Sequence, residues 1–576
     1  MTHLYFKTIS PLHIGTGKVL EPFDYVFYQE KVIILDQEAC LERMFEKHPQ
    51  AVDRYVEWIQ QTVQRMNNAK NEARNARRDR DRSRAQHHNQ ILSELRKNFN
   101  LVYFCENELS DSALAKEILS NSQYHKNAIY ALDRPAGTRQ LREMIHINGQ
   151  PYVPGSSLKG AIRTALAYRA TKNLSDESLD ILLNGKSGTN LLGIKEPLQR
   201  IREFSQKAII AIEKGNEQEI NQALKALQNE RRYRIQKKKI GDEVEKVVFG
   251  CGDGGVKEVE KFDDPKFDLL RLIKISDSIE GEWGLLAGHL MSFTRNNRTG
   301  QLSAQPIQYC QFIDEGSIFS VSLEIDTQLI GAILNNRVKG WTSFERKFRT
   351  LFNTDPHLPP EQLEQEIVKN ILEAIREFGW AILEKEKDWL NQFNDNEIKK
   401  LHEFYDNLPQ DATLLRVGFS SGWHSTTVGL ALAENPALSG YLPEIIYAFN
   451  LDLIQKQENL LRLSAGQIVE NRNRKKKKRD KAKELKQIET ITKLQIKLLE
   501  RSVSYSSFPR SRRLIAEGRK PYAPVGWLEV STSAFQKSDN PSKSAEKKSK
   551  ETIQVQNGNQ ESFEERLKKL KKKFGK

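Results

Sequence analysis

Three short segments of the sequence concentrate glycine, hydroxyl and basic residues, which are the groups that hold phosphate oxygens in proteins. The first segment, residues 9–27, has a glycine-rich turn at Gly15 and Gly17, directly after His13. Glycine lets the backbone N–H groups of such a turn approach a phosphate closely. One Gly-x-Gly turn is weak evidence, so a phosphate contact at these three residues is a hypothesis that depends on the other segments.

The second segment, residues 151–166, predicts a helix whose first turn carries hydroxyls and cations. Ser156 or Ser157 can cap this helix, and Lys159 and Arg163 follow four residues apart beside its apolar positions. Because free N–H groups at a helix N-terminus attract anions, these four residues predict a phosphate site. An ordinary capped helix is the alternative.

The third segment, residues 414–432, predicts a strand that runs into a glycine-rich and hydroxyl-rich loop. Such a loop allows close approach of a sugar-phosphate chain, and a tryptophan within it offers a face for base stacking. The loop lacks the Gly-Lys-Ser/Thr ending of a P-loop, so ATP use is not indicated. The candidate RNA-binding residues are Gly418, Ser420, Ser421, Gly422, Trp423, His424 and Ser425.

Alternating strand-like and helical stretches position these segments. Short strands separated by turns are predicted within the first 36 residues, and strand character returns at residues 267–278 and 306–325. Helical periodicity covers about residues 41–99, 196–239 and 361–387. The mixture indicates an α+β fold in which two helical stretches interrupt the β segments.

Strongly basic stretches lie outside the predicted core. Residues 67–84 hold seven basic and three acidic residues with almost nothing apolar, which predicts an exposed segment and permits disorder. Residues 471–486 hold ten basic and two acidic residues, and residues 535–560 have the composition of a disordered linker. A capping box at Ser562 predicts a basic, amphipathic helix at the C-terminus. A frayed, solubilising tail is the alternative.

Overall composition favours a polyanionic partner. The 576 residues include 90 Lys and Arg against 76 Asp and Glu, which gives a net charge of +14. The four cysteines are far apart and form no CxxC pair, so they are interpreted as reduced core thiols. The sequence has neither a signal peptide nor a long apolar run, and we expect a soluble, cytoplasmic protein with no membrane partner.

The order of the motifs resembles one known family. Along the chain the sequence reads ISPLHIGTG, PFDYVF, VPGSSLKGAIRTAL, IKISDS and RVGFSSGWHSTTVG. This order resembles the RAMP superfamily, most closely the Csm-type backbone subunit at the 3′ end of the guide RNA in type III-A CRISPR–Cas effector complexes. The length and the insertions are also similar to type III-D RAMP subunits that carry large insertions. The resemblance implies an RRM-like (ferredoxin-like) core with large helical insertions.

The resemblance, combined with the composition, predicts how the chain is organised. We expect an N-terminal core over residues 1–180 with a basic helical insertion at about 46–100, a helical insertion over 181–262, a C-terminal part of the core over 263–465 that contains the glycine-rich loop 418–429, a basic helical segment over 466–500, closing strands over 501–532 and a disordered basic tail over 533–576.

Guide RNA binding is the function that the resemblance implies, with target RNA and other type III effector subunits as further partners. Arg510, Arg512 and Arg513 lie in a stretch similar to the closing segment of the family, and they join the predicted RNA-binding residues. Other RAMP backbone subunits cleave target RNA with a metal ion and an Asp after the first strand, to which Asp24 corresponds. The alternative function is therefore a target-RNA endoribonuclease with Asp24 as catalytic residue and Mg²⁺ ligand. A carboxylate that hydrogen-bonds its own loop is an equally good interpretation of Asp24.

Two further alternatives remain open. A guide-processing RAMP nuclease would use an imidazole as general acid or base, with His13, His146 and His424 as candidates. A basic scaffold that binds no RNA would leave the glycine-rich loop unexplained.

Overall fold

The computed structural model of the chain describes residues 2–79, 81–133, 140–176, 197–214, 240–252, 264–278, 280–296, 299–393, 396–443 and 508–536. It also describes isolated positions at 179, 216, 218–220, 222–223, 225–226, 446, 489–490, 492–493 and 496. The predicted basic segment 471–486, the C-terminal amphipathic helix and the predicted disordered tail from residue 537 onward lie outside the described residues.

The described strands are β1 (Thr2–Thr8), β2 (Gly15–Leu20), β3 (Tyr25–Tyr28), β4 (Lys31–Leu35), β5 (His125–Ala131), β6 (Leu141–Met144), β7 (His146–Ile147), β8 (Gln150–Pro151), β9 (Ile273–Ile275), β10 (Glu280–Glu282), β11 (Leu285–Arg295), β12 (Leu302–Ile313), β13 (Ile318–Ile325), β14 (Leu414–Arg416), β15 (Ser511–Glu517), β16 (Lys520–Ala523) and β17 (Trp527–Ser531).

The described α-helices are α1 (Gln37–Lys47), α2 (Ala51–Arg78), α3 (Arg82–Lys97), α4 (Leu101–Tyr103), α5 (Ser112–Ser120), α6 (Gly155–Lys172), α7 (Pro197–Lys214), α8 (Ile240–Phe249), α9 (Thr327–Leu334), α10 (Phe344–Phe352), α11 (Pro360–Leu390), α12 (Lys399–Asp406), α13 (Trp423–Thr426) and α14 (Gly429–Glu434).

The first sheet has the strand order of a ferredoxin-like fold. Four strands pair in the order β9-β13-β1-β17, and all of these pairs are antiparallel. Strand β10 also pairs with β13, and β14 pairs with β17. Along the chain, α6 lies between β1 and β9, and α11 lies between β13 and β17. This is the β-α-β-β-α-β sequence with the first and third strands in the centre. The predicted α+β class with a ferredoxin-like core is therefore confirmed.

One apolar core joins this sheet to its two helices. Alternate residues of β1 point inward, and Phe6 stacks on Phe319 of β13 with ring centroids 5.0 Å apart. Tyr168 of α6 meets Phe378 of α11 at 5.1 Å, so the two helices pack against each other over the sheet. Glycine at position 379 lets α11 approach strand β14 closely, because a Cβ there would lie 2.1 Å from the Leu414 carbonyl oxygen.

A second, nine-stranded sheet adjoins the first. Its path runs β2-β6-β12-β11-β5-β4-β3, and β15 and β16 attach beside β11. An isolated β-bridge pairs Leu12, between β1 and β2, with Ile313 at the end of β12. This bridge connects the two sheets near the glycine-rich segments. The C-terminal strand β17 pairs with β1, so the chain closes the first sheet with residues more than 500 positions apart.

The first helical insertion is wider than predicted and is ordered. It runs from α1 to α5 between β4 and β5, and it has its own core around Tyr55 and Phe104. The segment 67–84 is helical on both sides of the turn at Asp79, apart from Arg80, which is outside the described residues. The expectation that this segment permits disorder is wrong, because alanines on α2 and α3 pack the two helices together.

The structure corrects the strand predicted at residues 267–278 and confirms the interpretation of the four cysteines. Strand character predicted for 267–278 is limited to β9, because the preceding residues form two 3₁₀ turns capped by Asp264 and Asp268. All four cysteines are free and buried, as interpreted from the sequence, and burial raises the pKa of each thiol to about 12. Within the described ranges, no helix combines the length and apolar character needed to cross a membrane.

Candidate nucleic-acid interface

His13 is a buried structural residue beneath the first glycine-rich turn. Its Nδ1 donates to the Gln311 carbonyl oxygen at 2.6 Å, and burial lowers the pKa of His13 to about 4. The ring is therefore neutral near pH 7, with Nε2 unprotonated. Glycine is needed at position 15, because a Cβ there would lie 2.9 Å from Nε2. The His13 ring supports the turn, and an RNA contact of its side chain stays a prediction without geometric support.

The turn itself projects as a bulge on β2. Gly15 pairs with Met144 and Val19 pairs with Arg142, so the three residues 16–18 lie opposite Glu143 alone. The bulge has a positive φ of 83° at Gly17, and the Lys18 N–H donates to the Thr16 hydroxyl at 2.9 Å. Residues 15–18 are all exposed. Their backbone is therefore accessible to solvent, and a phosphate contact of Gly15 and Gly17 stays a prediction.

The glycine-rich loop after β14 is hydrogen-bonded to the His13 segment. Gly418 has a φ of 91°, and a Cβ there would lie 2.6 Å from the His13 carbonyl oxygen. The next residue, Phe419, donates its N–H to that same oxygen at 2.8 Å. Two glycine-rich segments about 400 residues apart therefore form one structural unit.

The closing segment, residues 508–530, is hydrogen-bonded to both glycine-rich segments. Gly526 donates its N–H to the Pro11 carbonyl oxygen at 2.9 Å and accepts the Val417 N–H at 2.8 Å. The Trp527 N–H donates to the Ser10 hydroxyl at 2.9 Å. The first segment therefore lies between the glycine-rich loop and the closing segment and is hydrogen-bonded to both.

Most hydroxyls of the loop already have partners in the loop. Ser421 donates to the Gly418 carbonyl oxygen at 3.0 Å, and Ser425 donates to the Ser421 carbonyl oxygen at 3.0 Å. Both serines are buried, while Gly422 is exposed with a φ of 96°. The loop offers its backbone to a ligand more readily than its hydroxyls, and RNA contacts of Ser421 and Ser425 stay predictions.

Trp423 and His424 pack inward. A Cβ at Gly429 would lie 1.9 Å from the Trp423 ring, which also meets Phe508 edge-on at 5.0 Å. His424 is buried, and burial together with the nearby charge of Arg512 lowers its pKa to about 3. The predicted base stacking on Trp423 and the predicted RNA contact of His424 stay predictions, and the observed partners of both rings are residues of the same chain.

Arg512 belongs to a buried ion-pair triad. Its Nε donates to Glu386 at 2.8 Å, and Arg416 Nη1 lies 3.4 Å from the other oxygen of that carboxylate. Burial opposes ionisation of Glu386, but the positive charges of Arg512 and Arg416 hold its pKa below the ordinary value. The triad ties α11, β14 and β15 together, which gives Arg512 a structural role.

The arginines on either side of Arg512 face solvent. Arg510 and Arg513 are exposed, and Arg513 Nη1 donates to the Ser420 hydroxyl at 3.4 Å. Strand alternation explains the difference, because Arg512 points to the core and its neighbour Arg513 points to the opposite face. Arg513 is therefore placed beside the glycine-rich loop.

The start of α6 is occupied by groups of the same chain. The helix begins at Gly155 with Pro154 as its N-cap, so the predicted serine cap is wrong. The Gly155 N–H donates to Asp277 Oδ1 at 2.8 Å, which places a carboxylate at the helix N-terminus. Ser156 is exposed and Ser157 is half-buried.

The two cations of that helix also have internal partners. Lys159 donates to the Ile273 carbonyl oxygen at 2.7 Å, and burial lowers its pKa. Arg163 pairs with Glu245 and Asp268, each at 2.8 Å, and lies over the Phe249 ring at 3.9 Å. Phosphate binding by Lys159 and Arg163 stays a prediction, and their observed role is to fasten α6 to its neighbours.

Asp24 fixes the turn before β3. Its carboxylate accepts the Glu21 N–H at 2.8 Å, and its own N–H donates to the Glu21 carbonyl oxygen at 2.8 Å. Among the described residues, no three His, Cys, Asp or Glu side chains meet as a metal site. The described surroundings of Asp24 do not fit a Mg²⁺ centre, and catalysis by Asp24 stays a prediction.

Sequence reasoning missed two residues of this region. Arg142 lies on β6, and the pairing of β6 with β2 brings it near the first glycine-rich turn. Its guanidinium lies 5.4 Å from the centroid of the Phe419 ring. Phe419 is half-buried between Gly418 and Ser420. An aromatic flanked by glycine and serine in a loop was a usable signal for Phe419, whereas nothing in the short strand LREM signalled Arg142.

Together these residues form one patch, which we call the glycine-rich surface: residues 15–18 and 418–422 with Arg142 and Arg513. Its exposed turn at residues 15–18, the exposed Gly422, the half-buried Phe419 and the three cations Lys18, Arg142 and Arg513 are groups of the kind that proteins use to hold a single-stranded sugar-phosphate chain. The fold and this surface define a ferredoxin-like protein with a candidate RNA-binding face beside its core.

The comparison with protein families agrees with this class. The RAMP superfamily model matches residues 5–423, which is well over half of the chain, and the chain belongs to the RAMP superfamily. No curated protein matches the chain.

Two solved structures are similar to the chain. One chain of the cryo-EM structure of a Csm–crRNA–target RNA ternary complex in a type III-A CRISPR–Cas system is 20% identical, with a TM-score of 0.47 over 92% of this chain and 100% of that chain. The crystal structure of T. onnurineus Csm5 is 21% identical, with a TM-score of 0.45 over 75% of this chain and 94% of that chain.

Proposed function

We propose that this protein is a guide-RNA-binding backbone subunit of a type III CRISPR effector complex that acts on RNA in the cytoplasm. Target RNA and the other effector subunits are its further partners. The chain holds the sugar-phosphate backbone of the guide, and base pairing between guide and target supplies the sequence specificity.

The observation that carries the proposal is the hydrogen bond from the Phe419 N–H to the His13 carbonyl oxygen. It joins the two glycine-rich segments, and Arg142 and Arg513 lie beside them. Two of the motifs that resemble the RAMP superfamily, ISPLHIGTG and RVGFSSGWHSTTVG, contribute residues to this surface.

A guide-processing nuclease gains no support from the described imidazoles. His13 and His424 are buried and their pKa values are lowered to about 4 and about 3, so neither is an accessible proton donor near pH 7. His146 is exposed, but its Nδ1 lies 3.1 Å from the Met144 carbonyl oxygen and no second described imidazole is recorded in contact with it.

The test is purification of the tagged protein from its host together with its natural partners, followed by extraction of nucleic acid. We expect a discrete RNA of guide length and co-purifying effector subunits. RNA no more abundant than in an unrelated tagged control would overturn the proposal, as would a broad smear of host RNA.

A pair of charge reversals locates the contact. Arg142→Glu with Arg513→Glu should reduce the guide RNA retained by the complex, because both side chains reach the glycine-rich surface without belonging to the buried triad. Arg337→Glu with Lys339→Glu is the matched control, since both side chains are exposed and lie between α9 and α10. Equal RNA retention by the two variants would contradict the assignment of this surface.

A further inference from the structure

Helices α2 and α3 pack against each other as a pair, which we call the arm (residues 51–97). Only the first third of α2 contributes to the core of the insertion, through Tyr55 and its neighbours up to Ile59. Beyond that point the buried side chains of the arm are mostly alanines, namely Ala69, Ala73, Ala76 and Ala85. These small residues let α2 and α3 approach closely, so the contact between the two helices stabilises the arm.

A line of cations runs along the exposed side of α2. Lys70, Arg74 and Arg77 are spaced i, i+4 and i+7, which places them on one face over about 10 Å of helix. All three are exposed, and Arg77 donates to the Asn89 side chain at 3.3 Å. Lys70 and Arg74 have no hydrogen bond or ion pair with any described residue.

Two acidic residues near the cations, Glu72 and Asp81, have other partners. Glu72 pairs with Arg84 of α3, and Asp81 accepts the Arg84 N–H at 3.0 Å as the N-cap of α3. Neither carboxylate is recorded as a partner of the cation line. The line therefore presents uncompensated positive charge on a rigid helix.

We propose that the cation line Lys70–Arg74–Arg77 is a second RNA-binding site, which contacts the phosphates of a single-stranded RNA beyond the stretch held by the glycine-rich surface. The proposal rests on the proposed RNA-binding function. The arm extends the length of RNA that the subunit holds, without reading its sequence.

Charge and composition favour RNA over a protein partner. A stable protein interface has an apolar core with few charges, whereas this part of α2 offers Asn67, Lys70, Arg74 and Arg77 on its open side. Regularly spaced cations on a helix suit a chain of phosphates.

The experiment measures the affinity of the full-length protein for a fluorescent single-stranded RNA of mixed sequence across a salt series. The RNA is long enough to span several sites of about 4–16 nucleotides each. The variant is Lys70→Ala, Arg74→Ala and Arg77→Ala together, which keeps the helix because alanine is a strong helix former. The control is Arg337→Ala, Lys339→Ala and Lys400→Ala, which removes the same charge from exposed positions outside the arm.

We expect the arm variant to bind the RNA about tenfold more weakly than the control at low salt, and to lower the slope of log affinity against log salt by about 2 for three lost phosphate contacts. Circular dichroism should show unchanged helix content. Equal affinity and slope for the two variants would overturn the proposal, as would loss of a neighbouring subunit from the complex at unchanged RNA affinity. Failure of the wild-type protein to bind RNA would instead overturn the proposed function.

Discussion

His13 connects two turns that lie far apart in the sequence, one through its neutral imidazole and the other through its backbone carbonyl. Its ring lies beneath Gly15, and its backbone carbonyl accepts the Phe419 N–H. A protonated ring would require a buried positive charge near Arg142, which the low pKa of His13 avoids. The state of one side chain therefore contributes to the shape of the glycine-rich surface.

This state predicts a pH dependence of stability. The folded pKa of about 4 lies below the ordinary 6.5, so between these values the unfolded chain binds a proton that the folded chain does not. His13 therefore costs stability as the pH falls, by about 1.4 kcal/mol per pH unit. His13→Asn removes this titration. Urea unfolding from pH 7 to pH 4 should show the free energy of unfolding falling less steeply in the variant, and parallel curves would contradict the assignment.

Asp24→Asn separates the two interpretations of Asp24. An asparagine oxygen can still accept the Glu21 N–H, so the turn should survive and the melting temperature should change little. We expect the assembled complex to cut a labelled complementary RNA at the wild-type rate. Loss of cutting at unchanged stability and guide content would show that the carboxylate charge itself is required, as the endoribonuclease alternative holds.

At the scale of elements, β15 divides its arginines between two tasks. Arg512 lies in the buried triad with Glu386, and Arg513 lies beside Ser420 on the opposite face. Removing one member of a buried ion pair leaves an uncompensated charge.

Arg512→Ala should therefore lower the free energy of unfolding by about 3–5 kcal/mol, whereas Arg513→Ala should change it by less than about 0.5 kcal/mol. RNA affinity should show the reverse pattern once both variants are measured at a temperature where they are folded. Chemical denaturation and RNA titration of both variants provide the check. Similar stability of the two variants would show that the triad does not hold these elements together.

The elements also show where sequence reasoning reached its limit. The resemblance of the motif order to the RAMP superfamily implied the ferredoxin-like core, and apolar periodicity predicted the strand character of the first residues and the helix at 361–387, because periodicity is a local signal. The roles of Lys159 and Arg163 were not predictable, since their partners on β9, α8 and Asp268 are brought near only by the tertiary fold. The serine cap failed for a similar reason, because Asp277 from another segment occupies the start of α6.

At the scale of the whole molecule, not every one of the 90 Lys and Arg side chains is available to RNA. Arg163, Arg416 and Arg512 are engaged by carboxylates of the same chain, and Lys159 by a backbone carbonyl. Among the described residues, the cations that reach solvent at the glycine-rich surface are Lys18, Arg142 and Arg513. RNA retention should therefore depend on a small number of positions rather than on overall charge.

The central claim is that the glycine-rich surface holds the guide RNA, and ultraviolet crosslinking of the assembled complex tests it most directly. Crosslinked peptides are identified by mass spectrometry after the guide is irradiated in place. We predict adducts within residues 15–18 and 418–422, with Phe419 the most reactive side chain because aromatic rings stack on bases. Guide crosslinks confined to other parts of the chain, with both of these turns unmodified, would contradict the account.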